Sequence, residues 1–238
     1  MPKILKVVVW LIGLFLLIIL IQYPMQNSMD SWKTWSLPLA GKTIVIDPGH
    51  GGVDGGAEAS DDTQEKEITL TVSNMLRDYL QQAGAVVYLT REGDYDLAQD
   101  DTKGLSRRKT EDIQNRVAFI KEKEADLFLS IHLNALPDRR WKGAQTFFHP
   151  GREQNEQLAK AIQHEIRRNL ENTNREALAI QQVFLLKYAE ATGALVEIGF
   201  LSNEEEKELL KSAGYQQKMA ASIYEGILQY ETNQAANQ

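Results

Sequence analysis

Residues 43–56 read T-I-V-I-D-P-G-H-G-G-V-D-G-G, and the reading of the whole chain turns on them. Ile44, Val45 and Ile46 form a short β-branched run, which predicts a buried strand. Asp47-Pro48-Gly49 stops it, because proline cannot donate to a sheet ladder and glycine permits a tight turn. His50 then falls just past the C-terminal end of a strand, where open α/β sheets bind their ligands. Glycines at 49, 51, 52, 55 and 56 leave the backbone bare around the imidazole, so a metal or a substrate can approach closely. No G-K-[ST] follows, so this is not a phosphate loop. Taken alone, the stretch reads equally well as a glycine-rich turn with a solvated histidine.

Strand and helix patterns alternate beyond it. Helices are predicted over Glu65–Gln82, Thr110–Lys123, Asn155–Leu170, Glu204–Leu210 and Tyr215–Tyr230. Strands are predicted over Ala85–Thr90, Asp126–Ile131, Ala144–Phe148, Val183–Leu186 and Ala194–Ile198. Glu92–Lys109 reads as a long, Asp-rich loop. The fold class is α/β: a single domain with a twisted, mostly parallel sheet of about six strands, helices on both faces, preceded by an N-terminal membrane segment.

Composition bounds the function. Hydrophobic content of 43% and charged content of 25% are those of a globular protein. A net charge of -7 argues against a nucleic-acid partner. The chain has no cysteine, so any metal must be held by histidine and carboxylate. Lys3 and Lys6 precede an unbroken apolar run from Val7 to Ile21. Residues 1–25 therefore read as a signal-anchor or a signal peptide. Gln22–Ser28 holds no small-x-small cleavage pattern, which favours an uncleaved anchor with the remaining chain outside the cytoplasm. Residues 26–41 read as a linker with Trp32 and Trp35 as interfacial aromatics, 42–231 as the catalytic domain, and 232–238 as a disordered tail.

Two later strands repeat the design of the first. In L-F-L-S-I-H-L-N-A, residues 127–135, an apolar strand delivers His132 at its C-terminal end. Alternation sends Phe128, Ser130 and His132 to one face, and Leu129 and Ile131 to the other. In G-A-L-V-E-I-G-F-L-S-N, residues 193–203, Glu197 lies inside an apolar strand. A carboxylate there is costly unless a cation or hydrogen bonds offset it. Burial raises its pKa and a nearby metal lowers it, the tuning that a general base needs. The competing reading is a structural pair with Arg91 or Arg116. Two histidines need a third ligand, and Glu65 and Glu67 follow His50 by fifteen and seventeen residues. Chemistry alone does not choose between them, and Glu65 also reads as the partner of Asp62 in a helix cap. Two histidines, a glutamate and a water make a catalytic zinc arrangement, since a structural site is closed by a fourth protein ligand. Such an ion lowers the pKa of the water and polarises a carbonyl. Of the remaining histidines, His149 reads as a loop residue near the groove and His164 as a surface residue.

The blocks I-D-P-G-H-G-G-x-D-x-G, E-K-E-I-T-L, V-x-L-T-R, D-L-F-L-S-I-H-L-N-A and L-V-E-I-G-F-L-S-N, in this order, resemble the zinc-dependent N-acetylmuramoyl-L-alanine amidases of the type-3 family. The resemblance covers nearly all of Lys42–Tyr230. It implies Zn2+ ligands at His50, Glu65 and His132, a catalytic Glu197, and cleavage of the amide between N-acetylmuramic acid and L-alanine in peptidoglycan. The linker and the block G-A-Q-T-F-F look like the germination-specific, spore-cortex branch of that family. That likeness implies a role in forming muramic-δ-lactam, with a deacetylase acting downstream, in the space between forespore and mother cell. Some relatives need a lipoprotein activator. Others carry a blocking helix after the S-I-H strand; here Leu133–Gly143 is too short for one, which implies an open groove. Arg107, Arg108 and the Asp94–Asp101 loop are candidates for flanking it. The rival functions are a zinc peptidase acting on stem peptides and a non-catalytic, membrane-anchored wall-binding module.

Overall fold

The computed structural model describes residues 2, 5, 8, 10–19 and 37–236. Its contacts divide into two units, Met1–Pro38 and Leu39–Gln238. In the first, residues 10–19 are helical, and Trp10, Leu11, Phe15 and Leu17 are all exposed. Among the described residues no helix is both long and apolar enough to cross a membrane. The expected anchor and linker lie partly outside the described residues, and Trp32 and Trp35 wholly so.

The second unit runs β1 (Thr43–Pro48), α1 (Glu65–Gln82), β2 (Val86–Leu89), α2 (Leu105–Glu122), β3 (Leu127–Asn134), β4 (Gln145–Phe148), α3 (Glu153–Leu170), β5 (Leu178–Ala179), α4 (Phe184–Tyr188), β6 (Thr192–Phe200), α5 (Glu204–Lys211) and α6 (Ala213–Ala236). The strands form one sheet in the order β2-β1-β3-β6-β4-β5. Every neighbouring pair is parallel except β4 against β6. The exception has a simple cause. Only residues 135–144 join β3 to β4, and a parallel return needs a crossover of a dozen residues or more.

Alternation along the strands separates two cores. Ile44, Ile46, Leu129, Ile131, Val196 and Ile198 pack under α1, α3 and α6. Val45, Phe128 and Leu195 face Val117 and Ile120 of α2 and Leu185 and Leu186 of α4. Helices thus cover both faces, as the pattern predicts.

Several elements differ from their predicted bounds. Helix α2 starts at Leu105, five residues before Thr110, because its first two turns are largely exposed and carry no apolar period. Strand β3 continues past Ile131 to Asn134, so His132 sits within the strand. The predicted strand Val183–Leu186 is instead the one-turn helix α4, where the Phe184 and Tyr188 rings meet at a tilt of 48°, 4.5 Å between centroids. A short apolar run does not distinguish the two by period. The sixth strand is the exposed edge pair Leu178–Ala179. Helix α6 reaches Ala236, so residues 232–236, read as tail, are helical.

Candidate active site

Strands β1 and β3 are parallel neighbours with Pro48 opposite Ile131, so His50 and His132 emerge on one rim of the sheet. Their rings are 5.0 Å apart, nearly perpendicular at 76°. Glu65 opens α1 and is buried, while Glu67 is exposed. Gln64 occupies the cap position without a side-chain bond, so the cap between Asp62 and Glu65 does not form. Instead the Glu65 carboxylate reaches between the rings. Its Oε2 lies 3.2 Å from His50 Nε2 and its Oε1 lies 3.0 Å from His132 Nδ1. The backbone N–H groups of Ala57 and Leu133 donate to the same two oxygens, at 2.8 Å each. One ligand atom from each of His50, Glu65 and His132 can be chosen so that all lie within 4.8 Å of one another. Burial pushes the Glu65 carboxyl up, but the two imidazoles outweigh it and hold it well below the ordinary range. Burial works against a proton on His50, and Glu65 and Asp54 overcome it, raising its pKa.

The loop leaves no room for side chains here. A Cβ on Gly49 would strike the His132 ring, and Gly56, at φ 73°, faces Glu65 and His50. His50 itself sits at φ 61°, a left-handed conformation uncommon outside glycine. Asp54 accepts from His50 Nδ1 at 2.9 Å and pairs with Lys109 at 2.8 Å. That fixes the ring and leaves Nε2 facing Glu65, the usual arrangement around a metal-ligating histidine. Sequence reading gave Asp54 no role. Its signal was the only carboxylate inside the glycine loop, four residues after His50.

Beneath the rim lies a buried polar network. Arg116 donates to Asp47 at 2.7 Å, to Asp112 at 3.0 Å, and to the carbonyls of Pro48 and His50. Arg91 donates to the carbonyls of Pro48, Gly49, Lys66 and Gly93. Neither arginine meets Glu197, so the pairing that competed with a catalytic role is absent. Burial pushes Asp47 up, yet Arg116, Thr90 and Ser130 bring it down to about 2. Arg116→Met strands that buried carboxylate and lowers stability by about 3–5 kcal/mol. An unchanged urea midpoint would contradict this account.

Glu197 stands in register with His132 on β3 and with Gln145 on β4. These three positions form one row on one face of the sheet. Its Oε2 is shielded from solvent and has no hydrogen-bond partner. Burial is the main cause that lifts its pKa to about 7; Glu65 adds to the rise, and the two histidines oppose it. A buried unpartnered oxygen beside a cluster of two imidazoles and a carboxylate is the environment of a proton acceptor awaiting a ligand. The donor set, nitrogen and oxygen without sulfur, suits zinc with positions left open.

Other candidates fall away from the cluster. His149 Nδ1 accepts from Gly151 N, and His164 pairs with Glu165 on the surface. Arg108 is tied to Asp96, and Asp94 to Lys66 and the N–H of Gly52, so the 94–101 loop is braced against the glycine loop. Residues 135–144 form a turn-containing connection from the end of β3 to β4, with no helix in it.

Residues 44–229 match the family described as N-acetylmuramoyl-L-alanine amidase, and the chain belongs to it. Within that family it is 52% identical over 232 residues to the germination-specific N-acetylmuramoyl-L-alanine amidase of Bacillus subtilis, covering 98% of this chain and 97% of that one. Among solved structures it is similar to the CwlD amidase from Clostridioides difficile in complex with the GerS lipoprotein. That match has a TM-score of 0.79 and 39% identity, over 81% of this chain and all of the other. The catalytic domain of CwlV, an amidase from Bacillus (Paenibacillus) polymyxa, matches with a TM-score of 0.69 and 26% identity over 79% of this chain and 97% of that one.

Proposed function

We propose that this chain is a zinc-dependent amidase that hydrolyses the bond between N-acetylmuramic acid and L-alanine in peptidoglycan. His50, Glu65 and His132 hold the ion and Glu197 is the catalytic acid–base. The observation that carries the reading is the row His132–Glu197, which sets an unpartnered carboxylate oxygen beside the cluster of His50, Glu65 and His132. When bound there, zinc lowers the pKa of water and polarises the scissile carbonyl. Glu197 takes a proton from the attacking water as the new carbon–oxygen bond forms. The same group then returns that proton to the nitrogen of L-alanine as the carbon–nitrogen bond breaks. The products are the muramic acid carboxylate and a peptide with a free amino terminus. Asp54 holds the His50 ring in register throughout, and the N–H groups of Ala57 and Leu133 hold the Glu65 carboxylate in place.

Similarity to a germination-specific relative supports a role in spore cortex, with muramic-δ-lactam formed after a deacetylase acts on the product. A lipoprotein partner is proposed from the complex of the clostridial relative. The exposed apolar helix over residues 10–19 supports an N-terminal anchor that keeps the domain outside the cytoplasm, in the space between forespore and mother cell.

The test is elemental analysis of the purified protein, with muramyl-peptide digestion before and after chelation. One zinc per chain is expected, with free peptides beginning in L-alanine. Chelation stops their release and added zinc restores it. Cleavage within the stems would favour the peptidase reading. Undiminished activity after complete removal of metal would overturn the proposal.

A further inference from the structure

The row His132–Glu197 does not end at Glu197. Gln145 continues it on β4, directly opposite Glu197. Direct cross-strand partners on one face lie ~5 Å apart at Cβ, so the Gln145 side chain borders the catalytic carboxylate on the side away from His132. Gln145 Oε1 accepts from Arg175 Nη1 at 3.2 Å, while Gln145 Nε2 donates to the carbonyl of Glu176. The Arg175 guanidinium lies over two rings, Trp141 and Phe200, 5.2 Å from each centroid. Trp141 is 47% exposed and Phe200 is buried. These aromatic faces fix the plane of the guanidinium without consuming its N–H groups. Its other hydrogen bonds are two long ones, 3.4 Å each, to the carbonyl of Lys142. Among the described residues, Arg175 forms no ion pair with a carboxylate. Trp141, Lys142, Asn172 and Arg175 line an open groove of about 510 Å³, with Glu171 the one acidic residue on its wall.

A half-buried arginine, held flat by two aromatics and in ion-pair contact with no carboxylate, although its charge reaches Glu206, can take a bidentate anion. Its hydrogen-bond partner Gln145 stands in the row beside Glu197, the group that releases the peptide. The leaving side of the substrate is a peptide, and a peptide ends in carboxylate. We propose that Arg175, oriented by Gln145, Trp141 and Phe200, binds a carboxylate of the stem peptide and makes the enzyme select anionic stems. The inference rests on the amidase reading above and adds the substrate feature that this rim reads.

The test compares two muramyl peptides in the full-length, zinc-loaded protein: one with free stem carboxylates, one with those groups amidated. Wild type favours the free acid by about tenfold to a hundredfold in kcat/KM, the effect residing mainly in KM. Arg175→Met keeps an apolar contact with the rings but loses the charge and the planar fork. It raises KM for the free acid by about the same factor and leaves the amidated substrate within about twofold. Arg175→Lys recovers part of the preference, since it restores charge but not the fork. Equal losses on both substrates would mean that Arg175 only supports the rim, and the inference fails. Equal kcat/KM of wild type on the two substrates overturns it without any variant, so a misfolded Arg175→Met does not shelter it. Failure of wild type to cleave either substrate at the muramoyl amide would instead sink the amidase reading itself.

Discussion

Glu197→Gln is expected to keep its zinc and its fold while kcat falls at least about a hundredfold, the usual share of acid–base catalysis. Glutamine has nearly the same shape but accepts no proton at neutral pH. KM should change little, because the carboxylate acts on the water and the leaving nitrogen rather than on the resting substrate. The pH profile provides a second readout. Without metal, burial holds Glu197 near 7, well above the ordinary value of 4.5. A cation in the neighbouring cluster pulls it down, so the wild-type acid limb lies between those two values. Activity falls as pH drops through it, because the proton removes the base, and the glutamine variant lacks that limb. Stability moves the other way. A carboxyl whose folded pKa exceeds its unfolded one costs stability as pH rises from about 4.5 through 7. In chelated protein at pH 8, Glu197→Gln should therefore melt no lower than wild type. Wild-type-like turnover, or loss of zinc from this variant, would remove Glu197 from the assigned role.

The sequence made the rim legible because its chemistry is written on strands. Ile44–Ile46, Leu127–Ile131 and Ala194–Ile198 are apolar enough to demand burial, so polar residues at their ends stand out. The parallel order followed from the helices between them. Glu65 was harder. Its helix was plain, but helix period alone did not separate it from Glu67 or from a capping role. Only the fold shows Gln64 at the cap and Glu65 turned inward against two backbone N–H groups. Helix α4 was misread because Val183–Leu186 is a four-residue apolar run, compatible with either period. Arg91 and Arg116 remained competing counter-ions for Glu197 in the sequence, which their charge permits. In the structure their donors go to carbonyls at residues 48–50 and to Asp47, a long-range arrangement that no local pattern encodes. Arg175 was not read at all, since its partners Gln145, Trp141 and Phe200 lie far away in sequence.

His132→Ala should do what Glu197→Gln does not: release the metal. In the proposed site the imidazole of residue 132 is one of three ligands, and without it Glu65 and His50 would make only a two-point site. Zinc sites of the catalytic type use three protein ligands. Activity should fall by at least about three orders of magnitude, since the several kcal/mol that an ion contributes to the transition state are withdrawn together. His50→Ala should behave alike, although Asp54 and Lys109 remain paired and keep the glycine loop closed. Two measurements separate these variants from a general loss of structure. Far-ultraviolet dichroism should match the chelated wild type, because the sheet and both cores lie below the rim. Raising free zinc should recover occupancy in a titratable way in the alanine variants and have no effect on the rate of Glu197→Gln. Full zinc content in both histidine variants, with wild-type turnover, would show that residues 50 and 132 do not hold the ion, whatever their proximity.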